Sequence, residues 1–263
     1  MTFADLSTLP PIRLLEQQAP SDTHADHVAV IADAITTAPR SLQKRIGPSE
    51  IGHPCTRRVA YKLAGVEEVN INPAWRPTVG TAVHDWLSTT FATANRDLDV
   101  ARYLVELSVE VDDGITGTAD LYDRAAALVN DWKVVSPTSL RKYRAKGPGP
   151  QYRTQVHLYG RGLTRRGLPV RDVAITFLPN SGELSEAVFW TEPYDEGVAL
   201  NALERMHTVG GLVATAGAGA AAVLPTDGAD PDWCRYCPFY LPASTDLTAA
   251  CPGAVKQATT SAA

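Results

Sequence analysis

The sequence predicts an α/β fold in which helices flank a central, mostly mixed β-sheet. Strand-like alternation of apolar and polar residues is confined to the middle of the chain, above all at 103–111 (YLVELSVEV) and 128–135 (LVNDWKVV). Helical spacing dominates on both sides of it. The chain has 263 residues, 44% of them hydrophobic and 20% charged, enough to bury one large core with appendages and without a sizeable disordered fraction. Interleaved helices and strands of this kind build layered α/β sandwiches.

Taken in order, residues 22–37 (DTHADHVAVIADAITT) read as an amphipathic helix after an irregular start. A second helix, 49–65 (SEIGHPCTRRVAYKLAG), is expected from Ser49 as its cap to Gly65, with Pro54 in its first turn or at a kink. Residues 66–78 read as a proline-containing connection, and a third helix follows Gly80. The strands are expected at 103–111, 115–122, 128–135, 173–178 and 186–190, the first two joined by the Asp112-Asp113-Gly114 turn. Helices at 151–163 and 194–214 complete the core, and a Gly/Ala-rich connection leads to a cysteine-bearing tail. No internal repeat is present. The division expected is an N-terminal extension (1–45), a core (46–225) and a tail (226–263) that closes a metal centre with Cys55.

The net charge of −5 and pI of about 5.7 do not advertise a polyanion binder, so charge distribution decides. The longest apolar candidate, Gly210 to Pro225, is too short and too rich in Gly and Ala to span a bilayer. The start of the chain lacks the basic and apolar pattern of a signal peptide. A cytoplasmic protein without membrane association is expected. In a reducing compartment the four cysteines, Cys55, Cys234, Cys237 and Cys251, suggest metal ligation rather than disulfides.

Asp131-Trp132-Lys133 is the chemical centre. Residues two apart on a strand share a face, so Asp131 and Lys133 project together and Trp132 goes to the other side. Burying that pair among Val129, Val134 and Val135 is costly without a purpose. A short hairpin brings Asp120 from the preceding strand beside Asp131. Two adjacent carboxylates call for a cation between them, and Mg²⁺ or Mn²⁺ suits oxygen donors. Lys133 is then placed to position or deprotonate an attacking water. Alone, an Asp-x-Lys triplet equally suits an exposed hairpin with a salt bridge; its surroundings decide. His84 shares a helical face with Leu87 and Phe91, which suits either a core histidine or a nitrogen ligand. Gln155 and Tyr159, four apart on a helix, form a polar pair on one face.

Lys133 to Arg171 contains three lysines and seven arginines, ten of the chain's 24 basic residues, and no acid lies between Asp131 and Asp172. Within it Arg141, Lys142, Arg144, Lys146, Arg153 and Tyr152 flank a flexible Gly-Pro loop suited to phosphates, with Tyr143 or Tyr152 to stack on a base. A solvated basic face is the plainer alternative. Cys234-Arg-Tyr-Cys237, followed by Cys251 after 13 residues and joined by Cys55 from upstream, gives four thiolates for zinc or an iron–sulfur cluster.

The ordered motifs SEIGHPCTRR, GTAVH, GTAD, DWK, QVHLY and CxxC with a final cysteine resemble the RecB-like branch of the PD-(D/E)XK nuclease superfamily. The likeness is to its iron–sulfur group, which includes the CRISPR-associated exonuclease Cas-four and the AddB nuclease domain, and to stand-alone phage forms. It covers about Ser49 to Cys251. The resemblance implies a restriction-endonuclease-like core and a metal held by His84, Asp120, Asp131 and the Trp132 carbonyl. It implies Lys133 as catalytic lysine, and Gln155 and Tyr159 as holding DNA at the catalytic centre. It also implies a 4Fe–4S cluster on the four cysteines, with Zn²⁺ as the alternative. The expected function is a Mg²⁺- or Mn²⁺-dependent DNA exonuclease favouring single-stranded ends, with homo-oligomeric, recombination or CRISPR partners. The rival readings are a non-catalytic DNA-binding assembly factor and a zinc-stabilised adaptor.

Overall fold

The computed structural model describes residues 20–38, 45–71, 75–226, 229 and 231–254, so the first part of the expected N-terminal extension lies outside the described residues. Five strands form one sheet: β1 (Tyr103–Asp112), β2 (Ile115–Asp123), β3 (Leu128–Val135), β4 (Asp172–Pro179) and β5 (Val188–Pro193). They lie in chain order. Only β3–β4 is parallel; the other three pairings are antiparallel, so the sheet is mixed as expected. The parallel step requires a long crossover, supplied by α5 (Pro137–Lys146) and α6 (Pro150–Arg165).

The middle strands are covered on both faces, which is why Val129 to Trp132 and Val173 to Ile175 are buried without alternation. On one face lies α6, the most deeply buried helix. It can lie so close because of two glycines. A Cβ on Gly162 would stand 2.7 Å from Val109 Cβ, and one on Gly160 would stand 2.7 Å from the Tyr194 ring. On the other face, α4 (Trp75–Thr93) turns His84, Leu87 and Phe91 toward the sheet. Phe91 stacks on Trp132 at 5.5 Å and meets Tyr103 edge-on at 5.1 Å.

The apolar interior has two parts. The larger unites the sheet with α6 and α7 (Glu196–Ala216) through Val109, Val129, Val156, Val173, Phe177 and Leu203. The smaller joins α3 (Thr56–Leu63) to the tail through Val59, Tyr61, Phe239 and Cys251.

Several local expectations are corrected. The helix expected at 49–65 is broken: α2 (Pro48–Ile51) is capped by Gly47, not Ser49, and Gly52–Cys55 forms a loop before α3. Pro54 lacks the N–H that a continuous helix would need there. The third helix begins at Trp75, inside the expected connection; Pro77 is tolerated because it sits in the first turn. The Gly-Pro loop forms at 147–149, but the basic residues before it lie on helix α5, started by the Ser136 hydroxyl, which accepts the Ser139 N–H, and by Pro137 at the first position. The Gly/Ala-rich connection is helical up to Ala216 and again in α8 (Gly219–Val223). The helix α1 (Pro20–Thr36) forms, but Val28, Val30 and Ile31 are exposed rather than packed.

Candidate active site

The β2–β3 ladder runs from Asp123↔Leu128 to Leu121↔Asn130 and stops. The next rung would face Asp120 to Asp131. Instead the strands part, and the Trp132 N–H donates to Asp120 Oδ2 at 2.8 Å. The carboxylate thus satisfies a backbone group that the ladder abandons. From Asp131 onward β3 pairs with β4 alone, and the Trp132 carbonyl belongs to this segment. Both carboxylates are buried, Asp131 at 1% exposure and Asp120 at 7%.

Side chains from β3 itself and from two further elements converge there. Lys133 ion-pairs with Asp131 Oδ2, which has no other polar partner among the described residues. From α6, Gln155 Nε2 lies 3.0 Å from both Asp131 Oδ1 and the Tyr159 hydroxyl. From α4, His84 Nδ1 stands 3.5 Å from Asp120 Oδ2, and its ring meets Trp132 edge-on at 5.8 Å. The structure therefore gathers His84, Asp120, Asp131, Lys133, Gln155 and Tyr159 from four elements.

Burial pushes the Asp131 carboxyl up to about 6, against the pull of Lys133 and with the help of Asp120. For His84, burial opposes the charged ring, but the Asp120 carboxylate outweighs it and the pKa is raised. This is the electrostatics of a site short of positive charge. No group of three His, Cys, Asp or Glu side chains among the described residues stands ready to hold a metal ion.

The basic stretch divides in two. Arg153 pairs with Glu192, Arg161 with Glu196, Arg165 with Asp113 and Arg171 with Asp172. For Arg153, Arg161 and Arg165 the acids arrive from other segments of the chain, and for Arg171 the acid is its sequence neighbour. On α5, by contrast, Arg141, Lys142, Arg144 and Lys146 are exposed and have no carboxylate partner among the described residues. Tyr143 and Tyr152 are half-buried. Tyr143 stacks on Phe177 at 4.2 Å, and Tyr152 carries the Lys133 ammonium 5.1 Å above its ring.

Far from the acid pair in the chain, Cys55 before it and Cys234, Cys237 and Cys251 after it, the four cysteines line one cavity of about 340 Å³. Burial raises the thiols of Cys55 and Cys237. Donors aim at the other two: Ala254 N–H at Cys234 Sγ (3.3 Å), and Gly253 N–H (3.4 Å) and Arg57 (3.8 Å) at Cys251 Sγ. Arg205 of α7 clamps the Gly52–Cys55 loop by donating to the Ile51 and His53 carbonyls, each at 2.7 Å. The His53 ring is driven down to about 4 by burial and by Arg58. Sequence reasoning did not find Arg57 or Arg205. Their partners lie more than 100 residues away, although Arg57 sits inside the SEIGHPCTRR motif.

No protein-family model matches the chain, and no curated protein matches it. Among solved structures, the alkaline exonuclease LHK-Exo from Laribacter hongkongensis is similar over 65% of this chain and 89% of its own, at 8% identity and a TM-score of 0.49. A phage-related exonuclease from Haemophilus somnus 129PT is similar over 65% and 96%, at 12% identity and 0.45. LHK-Exo in complex with dAMP gives 64% and 91%, at 9% identity and 0.37. Among the described residues no helix is long and apolar enough to cross a membrane.

Proposed function

We propose that this chain is a metal-dependent nuclease that hydrolyses phosphodiester bonds in DNA, as an exonuclease favouring single-stranded ends. The observation that carries this reading is the convergence of Asp120, Asp131 and Lys133 where β2 and β3 part, braced by Gln155.

The donor set fits a hard divalent ion. Two buried carboxylates offer oxygens, one of which, Asp131 Oδ2, is met only by an ammonium. Asp120, Asp131, His84 and the Trp132 carbonyl would hold Mg²⁺ or Mn²⁺, which when bound polarises a phosphate and lowers the pKa of water. The protein's own part is legible. Gln155 fixes the Asp131 carboxylate through Oδ1 and is itself held by Tyr159. Lys133, on the same strand face, offers an ammonium to the charge that develops on the phosphate oxygens. The four cations of α5 begin eight residues after Lys133 on an exposed helix, a short path for the flanking phosphates.

The cysteine corner fits a second, structural metal group. Four thiols face one cavity, and N–H donors point at two of the sulfurs, as thiolate ligands require. A 4Fe–4S cluster is the proposed occupant; visible absorption with iron and sulfide content separates it from zinc.

The test is cleavage of end-labelled single- and double-stranded DNA by anaerobically purified protein with Mg²⁺, Mn²⁺ or EDTA, beside Lys133→Ala. Metal-dependent cleavage lost in the variant is expected. A folded, metal-replete protein that cuts neither substrate would turn the assignment to a non-catalytic DNA-binding factor.

A further inference from the structure

Two cavities meet at Trp233. One, of about 340 Å³, is the cavity that the cysteines line. The other, of about 330 Å³, lies between the first turn of α4 and the segment where β3 runs into α5. Tyr143, Tyr152 and Trp233 line both, so they form one groove. It runs from Trp75 and Arg76, past Ser136 and Ser139, to Tyr236. Its floor is shared with the candidate active site, because the Tyr152 ring supports the Lys133 ammonium.

The groove displays what most surfaces hide. Trp75 is 61% exposed, Trp233 54% and Tyr236 57%. Indole is among the side chains that gain most from burial. Beside these rings, Arg76 and Lys142 are exposed and have no carboxylate partner among the described residues. A lipid or an apolar peptide segment would leave those cations unmatched. A polyanion with flat π faces would match both kinds of group at once.

We propose that this groove takes the unpaired bases of a DNA strand, with Trp75 and Trp233 stacking on bases and Arg76 and Lys142 holding the phosphates between them. Duplex bases already stack on each other and offer no free faces, so the groove selects single strands. The stacking rests on the groove alone; that the strand leads on to Lys133 rests on the nuclease reading above.

The test is binding of a labelled thymidine oligomer, roughly ten nucleotides long, and of a blunt hairpin duplex, to the full chain in EDTA, followed by fluorescence anisotropy. Trp75→Ala with Trp233→Ala is expected to weaken oligomer binding about a hundred-fold and to leave duplex binding unchanged, since each stacked base contributes about tenfold. Trp233→Phe keeps an aromatic face beside Cys234 and is expected to recover most of the loss. Trp86→Ala is the control: that indole is 65% exposed on α4 but lines neither cavity, and its removal leaves binding unchanged. If Trp75→Ala alone and the double variant both bind the oligomer like the parent, the groove proposal is wrong even where cleavage depends on Lys133. If the oligomer is bound through the two indoles but no DNA is cut, the nuclease reading fails and the groove stands.

Discussion

The acid pocket and the cysteine corner are built by different means. The pocket belongs to the sheet. Strand register sets Asp120 against Asp131, and α6 and α4 close over them. Although β2 and β3 part at the acid pair, β2 stays paired with β1 and β3 with β4, so side chains can be exchanged without moving their neighbours far. The corner belongs to loops. Cys55 ends the break between two short helices, Cys234 sits on a 3₁₀ turn (Pro231–Tyr236) and Cys237 follows that turn. Cys251 is tied in by one isolated bridge to Tyr240. What holds the corner is a set of single contacts: Arg57 to Leu224 O at 3.1 Å, Arg205 to the loop, and the Tyr61 hydroxyl to Leu247 O at 2.7 Å. Where pairing is continuous, a site keeps its shape when its chemistry is removed. Where contacts are single, chemistry and shape are lost together.

Removal of Lys133 should separate the two regions most widely. Lys133→Ala is expected to lower cleavage by about 10²-fold or more, the scale of losing one charge-stabilising group, with unchanged near-ultraviolet circular dichroism. Asp131 can take up a proton once its partner is gone, because burial already holds its carboxyl near 6. A variant that unfolds would show that the ammonium is a structural counter-charge instead.

The converse experiment is Cys251→Ala. On the proposed reading it is expected to release the metal group proposed for the corner and to lower the thermal midpoint, because metal binding and local folding are one equilibrium in such sites. Elemental analysis beside calorimetry checks this. A variant that keeps its metal and its midpoint would remove Cys251 from the ligand set. Between these two in kind stands Arg205→Met, which keeps the stem and strips the donors from the Ile51 and His53 carbonyls. A loss of about 1–3 kcal/mol in urea unfolding is expected from the carbonyls left unpaired.

The same contrast explains what the sequence made legible. The sheet could be read because strand patterning is local: all five strands lie within about three residues of their expected places. Asp120, Asp131 and Lys133 could be read because a hairpin with a short turn leaves few registers. The arginines after Lys146 looked unpaired because Glu192, Glu196 and Asp113 reach them only through the fold. The break at Gly52–Cys55 was hidden for a related reason: it depends on Arg205, some 150 residues away, accepting the duty of satisfying the loop's carbonyls. The exposed indoles of Trp75 and Trp233 carried no periodic signal, since their meaning lies in a groove shared between distant segments.

The smallest effect sharpens the comparison at the far end of the sheet, where the same β2–β3 hairpin that carries the acid pocket turns. Arg102 grips Asp123 through both oxygens, with Nη2 at 2.7 Å and Nε at 2.9 Å. Asp123 Oδ1 also accepts the Ala125 and Ala126 N–H groups at 3.0 and 3.2 Å. Arg102 first, and then the turn N–H groups, hold this carboxyl below the usual carboxylate range despite its partial burial. A lowered folded-state pKa contributes stability that is present above the unfolded value, about 3.9, and is lost as pH falls through the folded one. Because Arg102 is half-exposed, water screens the pair and the contribution stays small. Asp123→Asn keeps an acceptor for the turn and deletes the charge. Its urea midpoint is expected to fall slightly short of the parent's near neutral pH and to match it only in acid below the lowered folded-state pKa, where the parent carboxyl is also neutral. A gap that persists in acid would mean that the turn depends on the shape of Asp123 and not on its charge.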